Sequence, residues 1–546
     1  MAHKIYNLFH RNATPQHAPI PGSNQVPNSA GGYAWQLDPW QRLLRFLVLG
    51  TEGGTFYITE KSLTLDNAKN ALRCLAEDGA RFVQAVVDVS ENGRAYKNDP
   101  ALFALALAAA AENADTRRMA LEALPRVART GTHLMHFAAY VDGLRGWGRG
   151  LRKAVGRWYA GKTNEQLAFQ LAKYQSRDGW SHRDLLRLAH PMPDSEARKA
   201  LYRWAVGAED VPTESLTGLV AGLEQLKRAE SESQVIGLIH CYKAPREVIP
   251  TQYLTSPMVW NALLPNLGIN ALLRNLGNLS KVGLLAPESG IVSEVAARIT
   301  NREALRRGRV HPLQLLAALV TYQQGHGMRG QGQWAVAPEI VAALNQAFGL
   351  AFENVVPTGK RLYLALDVSG SMSMGFVSGI PGLTPREASA ALAMITVNTE
   401  KDVIIRGFQT QMLPLPIRAG MSLAQAVAAV SDLPFAGTDC AQPMLDALKH
   451  NLAVDAFIVF TDSETWAGSI HPAQALREYR KQTGIPARLV VVGMTSNGFT
   501  IADPDDAGML DVVGFSTNTP TAISDFIADR LGGGDSEAAD AGEVEA

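Results

Sequence analysis

Near Lys360 the hydrophobic pattern of this 546-residue chain changes, and that change limits the folds open to it. Downstream, apolar runs at 362–366, 403–408, 456–460 and 488–493 alternate with helix-like segments at 385–399, 422–430, 440–450, 472–483 and 520–530. Continuous apolar strands separated by helices predict a parallel sheet covered on both faces, a doubly wound α/β domain. Upstream almost nothing alternates with period two. Short amphipathic stretches follow one another instead, at 62–77, 100–114, 116–128, 132–144, 151–160, 164–175, 180–189, 194–208 and 214–228, with more between 257 and 348. They predict stacked antiparallel helix pairs, an α-solenoid of irregular units. A chain this long exceeds one hydrophobic core. The organisation therefore reads as a flexible arm (1–32), a helical array (33–356), an α/β domain (357–531) and an acidic, disordered tail (532–546).

Ligands in open α/β sheets sit beyond the carboxyl ends of the strands. There the sequence places Asp367-Val368-Ser369-Gly370-Ser371, directly after the first apolar run. Two later loops match it: Gly437-Thr438-Asp439 follows a helix-like stretch, and Thr461-Asp462-Ser463-Glu464 ends the apolar run at 456–460. Hard divalent cations take oxygen ligands, and Mg²⁺ keeps several waters beside one or two carboxylates. Asp367, Ser369, Ser371, Thr438 and Asp462 supply such a shell. In all five positions the pattern resembles the metal-ion-dependent adhesion site of a von Willebrand factor A domain. Hydrolysis is not expected, because the sequence offers neither a second metal cluster nor a nucleophile–base pair beside the first.

Charge divides the chain as sharply as texture does. Residues 1–360 hold 40 Lys and Arg against 30 Asp and Glu, whereas residues 361–546 hold 11 against 22. Such asymmetry points to a nucleic-acid-binding part joined to an acidic module. The excess is local: residues 151–200 carry 10 basic and 5 acidic side chains. Lys173 and Arg177 stand four apart, on what the pattern reads as one helix ended by Asp178-Gly179. Arg183, Arg187 and His190 follow with spacings that share a face of a second helix. The expected helical hairpin gathers cations to neutralise phosphates, with Tyr174 and Trp180 near to stack on bases. An exposed, solvated charged face is the competing reading.

Other features carry less. Gly325 to Gly330 matches G-x-G-x-x-G, but a helix rather than a strand precedes it, so a loop is the better reading than a dinucleotide site. His133 and His136 have no cysteine or carboxylate close in sequence and read as packed or surface histidines. Cys74, Cys241 and Cys440 form no disulfide or zinc spacing, no apolar run reaches the roughly 20 residues of a membrane span, and the first 32 residues lack an apolar signal region. A cytoplasmic protein with reduced thiols is the expectation.

Longer strings carry a family resemblance. Residues 50–57 (Gly-Thr-Glu-Gly-Gly-Thr-Phe-Tyr), 179–188 (Gly-Trp-Ser-His-Arg-Asp-Leu-Leu-Arg-Leu), 271–277, 357–361 and 493–504 are similar to the Ro autoantigen family, the ring-shaped RNA-binding proteins that carry the TROVE module. The resemblance runs from about Asp38 to Leu531 and implies a bacterial member. It implies that HEAT-like helical repeats close into a ring bridged by the A domain. Y RNA would bind the outer surface, and single-stranded 3′ ends of misfolded non-coding RNA the central hole. Lys173, Arg177 and His190 match the family's RNA contacts, and Ser369, Ser371 and Thr438 its metal residues. A non-enzymatic, monomeric RNA-quality-control protein is implied, working with a 3′→5′ exonuclease such as polynucleotide phosphorylase. A metal-dependent, adhesion-type protein-binding scaffold is the alternative.

Overall fold

A computed structural model describes residues 13–51, 59–95, 97–208, 211–216, 218–327, 332–352, 355–377, 383–513 and 519–528. Most of the 50–57 string, residues 328–331 of the glycine-rich loop and the acidic tail lie outside the described residues.

The helical part begins where its cap says it should. Asp38 accepts bonds from the backbone N–H of Trp40 and Gln41, Pro39 fills the first turn, and Pro39–Leu49 buries Leu43, Phe46 and Leu47. Successive helices then pack on near neighbours. Gly79–Glu91 lies on Ala114–Val127, and Asp99–Ala110 lies on both Ala114–Val127 and Gly131–Leu144. Asp99–Ala110 is apolar on nearly every side and is buried accordingly. Two helices absent from the sequence reading, Gly79–Glu91 and Glu232–Tyr242, belong to the array.

In the α/β domain, Met509–Val513, Arg488–Gly493, Ala456–Thr461, Leu362–Asp367 and Val403–Phe408 run parallel in that spatial order, and Met412–Pro414 adds an antiparallel edge. Side chains alternate strictly. Tyr363, Ala365, Phe457, Val459 and Val491 face one core, with the helices Gln442–Lys449 and Pro472–Thr483. Leu364, Leu366, Ile458, Phe460 and Val492 face the other, which is continuous with the core of the helical array. The chain leaves the Leu362–Asp367 and Ala456–Thr461 strands toward opposite edges of the sheet. Their carboxyl ends therefore flank the crevice where ligands of such sheets lie.

Both ends of the array are fastened to this domain, so the helices close into a ring. At one end Tyr33–Gln36 pairs antiparallel with Phe499–Thr500, Leu37 N–H donates to Gly498 O (2.8 Å), and buried Arg45 meets Asp511 (2.5 Å). At the other, Leu423 N–H donates to Asn345 Oδ1 (3.1 Å), and Ser524 Oγ to Val356 O (2.6 Å).

The arm expected to be flexible is instead, over residues 13–32, part of the α/β domain. Gln16 is fully buried: its Nε2 donates to Asp439 Oδ1 (2.6 Å) and Ile470 O (2.8 Å), and its Oε1 accepts from Thr465 Oγ1 (2.5 Å). Asn28 Nδ2 donates to Thr465 O (2.8 Å). The segment carries too few apolar residues to announce itself. Polar side chains buried among backbone groups hold it instead.

Candidate metal and RNA-facing sites

Asp367 ends a fully buried strand, and its two oxygens are held by Ser369 N–H (2.9 Å) and Thr461 Oγ1 (2.6 Å). Ser369 Oγ and Ser371 Oγ lie 3.1 Å apart. Two buried groups fix the loop's backbone from behind. Arg386 donates to Val368 O (2.7 Å) and Ser369 O (2.8 Å), and Gln409 Nε2 donates to Val368 O (2.8 Å). Thr438 and Asp462 come from the two facing loops and are equally buried. The five predicted metal residues thus lie together in three adjoining loops at the carboxyl edge of the sheet.

Burial, reinforced by the Asp462 charge, pushes the Asp367 carboxyl up to about 7; burial likewise raises Asp462. Thr438 Oγ1 and Asp462 Oδ2 are buried and have no hydrogen-bond partner among the described residues. Orphaned oxygens beside two carboxylates are what a hard cation would satisfy, so the residues fit Mg²⁺. Among the described residues no group of three or more His, Cys, Asp or Glu is gathered for a metal; here three hydroxyls join two carboxylates.

Sequence reasoning left aside the residue next door. Glu464 is fully buried, with Oε2 accepting from the backbone N–H of Ser29 (2.9 Å) and Ala30 (3.2 Å) and Oε1 from Asn497 (3.1 Å). Burial and the neighbouring Asp462 push its carboxyl up to about 8. Nothing local in the sequence signals that residues 29 and 30 meet 464. Around the site four large apolar side chains stand exposed: Met374, Phe376, Phe435 (69%) and Trp466 (41%).

The basic segment is rearranged relative to expectation. The first helix, Asn164–Lys173, stops at Lys173, so Lys173 and Arg177 do not share it. Asp178 and Gly179 both adopt left-handed backbone (φ 51° and 78°), the geometry of a tight two-residue hairpin turn. Arg177 therefore pairs across that hairpin with Trp180, which packs on Trp147 with ring centroids 5.2 Å apart. His182–Ala189 follows, opened by the predicted reciprocal cap between Ser181 and Asp184. Arg183 and Arg187 are exposed on this helix, whereas His190 lies just beyond it in a left-handed cap (φ 45°) and leaves their face.

Arg177 and His190 are also exposed, and Arg187 donates to Val206 O (3.3 Å). Lys173 is more enclosed. Its side chain is 17% exposed, lies 3.7 Å from Glu247 and rests over the rings of Phe169 and Tyr174. The histidine expected to lack carboxylate company has two neighbours: His136 Nδ1 bonds Asp178 at the hairpin tip, and Nε2 lies 3.9 Å from Asp99. His136 thereby ties the hairpin that presents Arg177 to the helix beneath it.

Two family models match the chain. The TROVE domain covers residues 26–217 and 243–320, and the Ro60 vWA domain covers 361–527. A Deinococcus radiodurans protein named RNA-binding protein RO60 is 44% identical over 505 residues, covering 92% of this chain and 95% of the relative. A Caenorhabditis elegans protein of the same name is 34% identical over 586 residues, covering 93% and 90%. The crystal structure of Deinococcus radiodurans RO (RSR) protein aligns with a TM-score of 0.69 at 44% identity, over 90% of this chain and all of that one.

Proposed function

Because the chain belongs to the Ro60 family, whose matched relatives are named RNA-binding proteins, we propose that it is a non-enzymatic protein of RNA quality control. It binds Y-type RNA and the single-stranded 3′ ends of misfolded non-coding RNA, and works with a 3′→5′ exoribonuclease. The observation that carries this reading is the basic segment 173–190, where Arg177, Arg183, Arg187 and His190 all reach solvent. Guanidinium groups there neutralise phosphates without reading bases, so affinity falls with salt. Lys173 joins them by leaving Glu247 for a phosphate.

Filter binding of a 3′-tailed RNA across a salt series tests the reading. Arg177→Ala should lower the slope of log K against log salt by about 0.7 to 0.9, one lost contact. A wild-type slope near zero rejects RNA binding by this surface. Incubation with labelled RNA and Mg²⁺ should leave it full length, and progressive shortening would overturn the non-enzymatic assignment.

A divalent cation, Mg²⁺ by its ligand chemistry, belongs at Asp367, Ser369, Ser371, Thr438 and Asp462, where it offsets two buried carboxylates. The exposed Met374, Phe376, Phe435 and Trp466 around it favour a second reading, a metal-dependent protein-docking face. The thiols of Cys74, Cys241 and Cys440 are free, which supports a reducing, cytoplasmic setting; the working unit is taken as a monomer.

A further inference from the structure

A second group of cations gathers where distant parts of the array touch. The loop after Gly79–Glu91 meets the turn after Arg302–Arg307 so closely that a methyl group on Gly93 would lie 3.2 Å from Arg309 Cβ. Four guanidinium groups converge on this junction, and two are neutralised. Arg126 grips Glu91 through both nitrogens (2.8 and 2.6 Å), and Arg94 holds Asp88 (2.6 Å).

The other two have no ion pair among the described residues. Arg129 bonds only neutral oxygens, those of Ser90 (O 3.1 Å, Oγ 2.7 Å) and Arg126 (O 3.4 Å). Burial, and then the charge of Arg309, pushes Arg129 down to about 10. Helix carboxyl ends nearby supply partial negative charge that favours Arg129. Glu91 is the one carboxylate that acts on Arg129 and Arg309, and Arg126 already grips it; Arg309 itself is exposed and held in the left-handed region (φ 47°). Two guanidinium groups that repel each other are an arrangement that an anionic guest stabilises, and guanidinium forks match phosphate oxygens.

We infer that Arg129 and Arg309 form a second anion site, taking a phosphate of a bound RNA strand where the early and late helices of the array meet. The inference rests on the RNA-binding reading above and extends it. Arg129 directly precedes the Gly131–Leu144 helix, whose His136 holds the hairpin of Arg177. The two cationic clusters are therefore joined through one helix.

The test uses the full chain and a 3′-tailed RNA titrated with KCl. Arg309→Gln should lower the salt slope by about 0.7 to 0.9 and weaken binding roughly three- to tenfold near physiological salt. Arg309→Lys should keep the slope. Arg307→Gln, which removes a guanidinium already paired with Glu303 (3.2 Å), should change neither. Arg129→Gln should match Arg309→Gln, with thermal unfolding followed in parallel because it also loses the Ser90 bonds.

An unchanged slope in Arg309→Gln, with Arg177→Ala still lowering it, overturns this site and leaves the RNA reading standing. A flat slope in the wild type removes both. Inorganic phosphate that stabilises the wild type but not Arg309→Gln, with RNA binding untouched, would overturn the assignment to an RNA phosphate.

Discussion

Single side chains at the metal loops are held by partners that the apolar core cannot replace. Asp367 and Asp462 are both buried, and the Asp462 charge adds to the cost of ionising Asp367. A cation lifts that cost, so Mg²⁺ should raise the thermal midpoint of the wild type. Asp367→Ala should erase the increment, and an equal rise in the variant would reject the site. The histidines obey a similar rule. Burial pushes His182 and His311 down to about 4, against about 6.5 in an unfolded chain. The unfolded state takes up these protons first. Their contribution is therefore complete above roughly pH 6.5 and is lost as pH falls toward 4, by up to roughly 3 kcal/mol each. Denaturant midpoints measured from pH 7 to 4 should fall, and fall less steeply in His311→Asn.

At the scale of elements, the N-terminal strap is the main surprise. Residues 13–36 cross the metal loops as irregular chain and short strands, held by Gln16, Asn28 and the N–H groups that bond Glu464. The contact is close enough that a methyl group on Gly32 would overlap the carbonyl oxygen of Thr465. Gln16→Ala leaves the buried Asp439 and Thr465 short of a partner and should cost about 1–3 kcal/mol, read as a lower denaturant midpoint. If residues 13–36 come off under mild proteolysis without loss of stability, the strap is not part of the fold. Helix Gly79–Glu91 teaches a related lesson. It opens on glycine and is rich in valine, a weak helix former, so its propensity is low. Burial of Phe82, Val83, Val86 and Val87 makes it helical all the same.

Across the whole molecule, ring closure depends on joints between parts distant in sequence. Arg45, on the first helix of the array, is buried and binds Asp511, on the last parallel strand of the sheet. Removing one member of a buried ion pair leaves the other charge stranded, so Arg45→Met should destabilise by about 3–5 kcal/mol. Arg45→Met combined with Asp511→Leu should recover part of that loss in denaturant midpoint, and a double variant no better than the single would discount the pair. With the joint weakened, protease should cut first in the strap and first helix.

What the sequence determined alone was local. Strand and helix periods separated the two halves, a cap fixed the start of the array at Asp38, and three loop motifs named the five oxygen-bearing residues that the fold brings together. Each of these signals sits within one element and its flanking turn. The rest required pairs of residues far apart in the chain: Glu464 with Ser29, Arg45 with Asp511, His136 with Asp178, Arg309 with Arg129. Helical spacing placed Lys173 and Arg177 on one helix because i, i+4 is a helical neighbour, but two left-handed residues after Arg177 turned that stretch into a hairpin. Hydrophobic periodicity records which face of an element is buried. It carries no record of which polar group a distant loop will offer, and here those polar contacts tie the strap, the ring and the metal loops together.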